Sequence, residues 1–278
     1  MRREIFVLVP TPAYSRLTGP LTYESEEEVQ VGCLVRVPLG QRDTLGLVWP
    51  QALEQPATSA HALKAIHSVL HGIPPLSAHW LKLIDFAAHY YQRSAGEFAM
   101  ACLPPSLRDM TALQFERKLS RLKPLAPVSA EKASQPPLTP EQTQVLAQLA
   151  QHSGPFLLHG NTGSGKTEVY LRRAALVLED SPQAQVLLLV PEINLTPQLE
   201  ARVRQRFAHL GDTAIVAMHS AMTPAQRLNS WLAAHLGTAR IVLGTRLAVL
   251  ASMPHLKLIV VDEEHDPSYK QQEGARYS

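Results

Sequence analysis

The chain has 278 residues, 45% of them hydrophobic and 18% charged, an ordinary globular composition, long enough to bury a core and sized for about two domains. Lys and Arg number 26 against 24 Asp and Glu, a net charge of +2, so bulk charge neither demands nor excludes a nucleic-acid partner and any basic surface must be local. Cys33 and Cys102 are far apart and form no C-x-x-C pair, and no apolar run reaches the length of a signal segment or a bilayer span, so the expectation is a soluble, unexported protein of the reducing cytoplasm, without disulfide framework, zinc site or membrane contact.

In chain order, residues 5–9, 33–37 and 45–49 are short β-rich runs separated by Pro, Gly and the acidic stretch 24–28, which predicts a small β-domain. Residues 63–70 and 76–91 carry apolar side chains at helical spacing, among them Trp80, Leu81, Ile84 and Ala87; they predict closing helices for a first unit over 1–107. Residues 108–137 hold Arg117, Lys118, Arg121, Lys123 and Lys132 among Ser and Pro and read as a mobile basic connector. From 138 to 278, strands at 155–159, 186–190, 214–218, 240–243 and 257–261 alternate with helical runs. That alternation predicts an α/β unit with a parallel sheet.

Gly160, Thr162, Gly163, Ser164, Gly165, Lys166 and Thr167 stand between the apolar run 156–159 and the helical run 169–178, the context of a phosphate-binding loop. Successive backbone N–H groups and the helix N-terminus would wrap the phosphates of ATP, Lys166 would reach the β- and γ-phosphates, and Thr167 would bind Mg²⁺. About a hundred residues on, the apolar strand 258–261 runs into Asp262, Glu263, Glu264 and His265. Acids at the carboxyl end of a parallel strand sit where open α/β sheets bind ligands. Asp262 is suited to hold Mg²⁺ and Glu263 to deprotonate the attacking water. Gln142 precedes the loop, and its amide matches the N6/N7 edge of adenine. Together these residues define a nucleoside-triphosphatase.

The Asp-Glu-x-His form at 262–265 resembles the DEAH-type helicases and translocases of superfamily 2. Residues 190–198 resemble their motif Ia and 242–246 their motif Ib, which implies that Thr196, Thr245 and Arg246 hold phosphates of a tracked strand. His265 would then couple the γ-phosphate site to the DNA-binding elements. Within the superfamily, the segments 158–170, 189–193, 260–266, 268–272 and 276–277 are similar to the PriA family of bacterial replication-restart helicases. The stretch after the acids corresponds to that family's aromatic-rich loop, so Tyr269 and Tyr277 would stack on bases and Lys270 and Arg276 meet phosphates. Residues 31–40, 80–91, 96–97 and 103–105 resemble the family's 3′-end-capturing DNA-binding domain, where Tyr23 and Arg36 would contact DNA.

The resemblance implies a RecA-like motor lobe preceded by a small β-rich DNA-binding domain, with forked and single-stranded DNA, primosome proteins and single-strand-binding proteins as partners. Three departures qualify it. Thr22 stands where the family commonly has an acid able to recognise a 3′-OH. Residues 108–137 supply about 30 residues where a winged-helix domain would need roughly 60 to 80. The chain also ends directly after the acids, so a second lobe and the family's zinc-binding cysteines are expected beyond Ser278. The leading expectation is an ATP-dependent 3′ to 5′ DNA helicase of replication restart. A non-catalytic nucleotide- and DNA-binding fragment, or another DEAH-type translocase, is the alternative.

Overall fold

The structure is a computed structural model and describes residues 2–10, 19–51, 63–122, 135–161 and 163–270. Six strands build the first sheet: β1 (Arg3–Leu8), β2 (Leu21–Ser25), β3 (Leu34–Leu39), β4 (Arg42–Trp49), β5 (Lys64–Ala65) and β6 (Ser68–Val69), in the order β5-β2-β1-β4-β3-β6. All pairings are antiparallel except β2 with β5. Alternation along the strands divides the apolar side chains between two faces. Ile5, Val7, Tyr23, Val35, Val37 and Val48 form a core of their own on one face, whereas Leu8, Leu34, Leu45 and Leu47 meet the helices on the other.

Two expectations change here. The run 63–70 is not helical. Its backbone N–H groups at Ile66, His67 and Leu70 donate to carbonyls of Glu24, Arg36 and Leu34, so pairing to both sheet edges overrides the apolar spacing. The basic segment is also not a free connector at its start. Helices α1 (Ala78–Tyr90), α2 (Ala95–Cys102) and the short α3 (Pro105–Arg108) are followed by α4 (Ala112–Leu119), which Thr111 and Gln114 close with a capping box. Phe115 of α4 is fully buried, and Leu119 and Leu122 pack against the same core.

The second unit contains α5 (Pro140–Gln151), α6 (Lys166–Asp180), β7 (Gln185–Leu189), α7 (Pro197–Arg206), β8 (Ile215–Met218), α8 (Pro224–His235), β9 (Ile241–Gly244) and β10 (Leu256–Val261). Its four strands are all parallel, in the order β10-β7-β9-β8. Val186, Leu188, Ile241 and Leu243 pack on α6 and α7; Leu187, Leu189 and Val242 turn to the opposite face with Trp231 and Leu232 of α8. The segment 155–159, predicted as a strand, belongs to no sheet, with Phe156 and Leu157 50% and 79% exposed. A strand exists only through a neighbour. Among the described residues nothing pairs with the outer edge of β10, where Ile259 and Val261 are also exposed.

The two units share one core, which includes Trp80, Phe98 and Phe115 as well as Trp231, Leu232 and Leu250. The Trp80 indole N–H donates to the Leu250 carbonyl at 2.9 Å, and Ser106 Oγ donates to the Pro224 carbonyl at 3.3 Å. His235, buried and stacked on Trp231, places Nε2 2.9 Å from the Pro74 carbonyl and Nδ1 2.9 Å from Ser252 Oγ. A carbonyl only accepts, so Nε2 carries a proton. Burial holds the His235 pKa below its ordinary value, which favours the neutral ring, and in that form Nδ1 accepts from the serine. Among the described residues no helix is long and apolar enough to cross a membrane.

Candidate nucleotide and DNA site

The loop ahead of α6 is shaped for close approach. Gly163 and Gly165 both have φ +83°, a conformation that other residues adopt only under strain. A Cβ at Gly160 would stand 2.7 Å from Ser164 Oγ, and one at Gly165 2.4 Å from Gln142 Nε2. The helices α1, α2, α4, α5, α7 and α8 each begin with a Ser or Thr whose side chain accepts a first-turn N–H, whereas Gly165 gives α6 no such cap. The orphan N–H groups of that turn are left for an anion. Lys166 Nζ donates to the carbonyls of Gly160 at 2.6 Å and Asn161 at 3.3 Å, which suspends an ammonium over the same loop. Thr162 lies outside the described residues.

Gln142 links α5 to the glycine loop. Its Oε1 accepts from Thr139 N–H at 3.0 Å in the capping box of α5, and its Nε2 donates to the Gly165 carbonyl at 3.3 Å. Each end of the amide keeps one further hydrogen-bonding position.

At the other wall, Asp262 N–H donates to the Leu189 carbonyl at 2.8 Å, extending the β10–β7 pairing one residue and fixing the acid at the carboxyl end of the sheet. Its Oδ2 accepts from the Tyr170 hydroxyl at 3.3 Å. Tyr170 lies three residues after Thr167, one turn further along α6. Burial, then the charge of Glu263, raises the Asp262 pKa above the usual carboxylate value, with Tyr170 and Lys166 opposing. Burial and the neighbouring Asp262 push Tyr170 up to about 12, so it stays a donor at neutral pH. The sequence reading passed over Tyr170; its position three residues after Thr167, on the same helix face, was the available signal.

Glu263 has φ +47°, the left-handed region, which costs a non-glycine residue about 1 kcal/mol or more. That turn ends β10 sharply and brings Glu263 Oε2 within 3.6 Å of Nε2 of the exposed His265. For Mg²⁺, the hydroxyl of Thr167 and the carboxylate of Asp262 would be hard oxygen ligands, and Tyr170, one turn after Thr167, bonds the carboxylate. Among the described residues no three metal-ligating side chains cluster. The set therefore fits an ion held largely by phosphates and water.

The residues expected to touch DNA are mostly committed elsewhere. Tyr23 is 3% exposed and donates its hydroxyl to the Pro38 carbonyl, because β2 pairs with β1 and turns it inward. Arg36 is 5% exposed; its guanidinium donates to the Asp43 carboxylate and to the carbonyls of Asp43 and Arg108. Arg246 Nη1 donates to the carbonyls of Ser268 at 2.8 Å and Lys270 at 2.7 Å, and the Tyr269 hydroxyl donates to the Asp262 carbonyl at 2.8 Å. Tyr23 and Arg36 are thus buried in the framework, whereas Arg246 and Tyr269 are half-buried and Arg246 Nε has no partner among the described residues. Thr196 caps α7 by accepting from Leu199 N–H, and Thr245 is buried with a hydroxyl that has no partner among the described residues. Lys270 is exposed; Arg276 and Tyr277 lie outside the described residues.

A sequence family described as the 3′ DNA-binding domain (3′BD) matches residues 6–104, and one described as DEAD/DEAH box helicase matches 139–277, half of the chain. The chain is similar to the replication restart protein PriA of Helicobacter pylori strain 26695, 33% identical over 262 residues that make 94% of this chain and 38% of the relative. The PriA of Treponema pallidum is 34% identical over 255 residues, 90% of this chain and 36% of the relative. That of Haemophilus influenzae is 46% identical over 142 residues, 50% and 19%. The chain thus spans a little over a third of the length of the first two relatives.

Proposed function

Because this chain belongs to the DEAD/DEAH box helicase family and carries a PriA-type 3′ DNA-binding domain, we propose that it works in an ATP-dependent 3′ to 5′ DNA helicase. That helicase recognises stalled or repaired replication forks in the cytoplasm and starts primosome assembly for replication restart. The observation that carries the reading is the juxtaposition, through Tyr170, of the phosphate loop and Asp262. In this reading the first-turn N–H groups of α6 and Lys166 bind the β- and γ-phosphates of ATP, and Thr167 and Asp262 hold Mg²⁺. Glu263 orients the attacking water and takes its proton. Bound Mg²⁺ neutralises charge developing on the phosphate oxygens. Forked and single-stranded DNA, primosome proteins and single-strand-binding proteins are the partners.

Contacts that run from the DNA-binding unit to the acid support coupling between the two. Trp80 of α1 reaches the carbonyl of Leu250, Arg246 in the same turn holds the carbonyls of Ser268 and Lys270, and Tyr269 between them holds the carbonyl of Asp262. A shift of the first unit on DNA has a continuous path to the metal-binding carboxylate. The test is ATP hydrolysis with forked DNA, single-stranded DNA and RNA. Forked DNA should stimulate turnover most and RNA least; equal stimulation by RNA would favour a general DEAH-type translocase.

A further inference from the structure

Helix α4 lies between the two matched sequence families, at residues 112–119, and has one face in the core and one outside. Phe115 is fully buried and Leu119 packs beside it. Arg117, Lys118 and Arg121 line a groove of about 610 Å³ whose opposite wall includes Ser106 and Asp109. Three cations meet one carboxylate there, a local excess of two positive charges in a chain whose total is +2. Among the described residues no acid pairs with any of the three cations.

We propose that this groove binds the phosphate backbone of duplex DNA. Arg117 and Lys118 stand on the last turn of α4, and Arg121 in the turn just past its C-cap Ser120. A duplex carries a phosphate about every 1.7 Å of its axis, so three cations within five residues can meet neighbouring phosphates. Among the described residues no aromatic side chain lines the groove. Unpaired bases need a stacking surface, whereas a duplex turns its bases inward and offers only phosphate to such a site.

The site is also held rigidly. The capping box of Thr111 and Gln114 fixes the start of α4, Phe115 anchors its middle, and Ser106 on the far wall is bonded to Pro224 of α8. A duplex arm seated here would bridge the DNA-binding unit and the α/β unit. The proposal deepens the reading of the chain as a DNA-binding protein and rests on it.

The test uses the full chain and a labelled duplex of about 20 base pairs at salt concentrations from about 50 to 200 mM. The triple variant Arg117→Gln, Lys118→Gln, Arg121→Gln should bind the duplex at least tenfold more weakly. Its slope of log affinity against log salt should be shallower by about two to three. Asp109→Asn, which removes the one acid, should bind the duplex more tightly, and the double Arg117→Lys, Arg121→Lys should bind like the wild type. Nucleotide binding at Lys166 should be unchanged in all of them. Duplex affinity and slope within twofold of wild type in both the triple variant and Asp109→Asn would overturn the groove while leaving the DNA-binding reading intact. An equal loss for a single strand would overturn the choice of duplex. Absence of any DNA binding by the wild type would overturn the underlying reading as well.

Discussion

The Tyr170 hydroxyl donates to Oδ2 of Asp262 across 3.3 Å, joining residues 92 positions apart in the chain. Tyr170 rides on the helix that begins at Lys166, one turn after Thr167, so its phenol ties that helix to the Asp262 carboxylate at the end of β10. It fixes the carboxylate without neutralising it, because its own ionisation is pushed up to about 12 by burial and by Asp262. The consequence is that the position of Asp262 is set by the packing of α6 against β10.

Tyr170→Phe keeps the ring and removes that bond, worth about 1 kcal/mol in a half-buried setting. The Mg²⁺ concentration needed for half-saturating nucleotide binding should rise about fivefold. Burial and Glu263 already hold the Asp262 pKa above its usual value, and the Tyr170 bond opposes them. Its loss raises that pKa further, so the fall in Mg²⁺-dependent binding on acidification should begin at a higher pH in the variant. Titrations of nucleotide binding against Mg²⁺ at several pH values check both effects; an unchanged Mg²⁺ requirement would remove Tyr170 from the site.

Glu263 sits at φ +47°, so relief of backbone strain and loss of chemistry should separate at this position. Glu263→Gly removes a left-handed penalty of about 1 kcal/mol but adds unfolded-state freedom of similar size. Thermal stability should therefore hold or rise while hydrolysis is lost. Glu263→Val, β-branched at the same φ, should destabilise by about 1–3 kcal/mol. Melting curves of the two variants decide it: equal destabilisation would mean that the turn is not strained.

Much of this arrangement was legible in the sequence, and what was not has identifiable causes. The strands β7, β8, β9 and β10 and the helix after Gly165 fall close to their predicted places, because a buried parallel strand reads as a continuous apolar run. β2 was hidden, since it is five residues long and runs into the acidic stretch at Glu24, and only pairing to β1 reveals it. The short strands at 64–65 and 68–69 are too brief to set a period of two. Arg36 and Arg246 are expected at DNA from the family resemblance, which does not say what else a guanidinium bonds. What the sequence does not show is the carbonyls each would find, Arg108 across the first unit and Ser268 beyond β10. The joint between the units was illegible for the same reason, resting on Trp80 with Leu250 and His235 with Pro74.

That joint should respond to pH. His235 is neutral in the fold and its pKa is lowered by burial from 6.5, so the unfolded chain takes up a proton more readily than the folded one. Stability is then full above about pH 6.5 and is lost as the pH falls below it, by at most about 1.4 kcal/mol per pH unit. His235→Gln should cost about 1–3 kcal/mol at neutral pH by leaving buried polar groups unsatisfied, and should flatten the pH dependence between about 6.5 and 5.5. Thermal melts of both proteins across that range are the check; a wild-type curve as flat as the variant's would contradict the neutral assignment.

The central claim is that Lys166 and the glycine loop before it bind the phosphates of ATP, with Mg²⁺ held beside Asp262. The most direct measurement is a titration of this chain with Mg²⁺ and ATP, compared with Lys166→Ala. The account predicts saturable binding that the substitution weakens at least tenfold, the loss of a charge-assisted bond of about 1.5–3 kcal/mol, with thermal stability unchanged. Binding of equal strength in the variant, or no binding by the wild type, would contradict it.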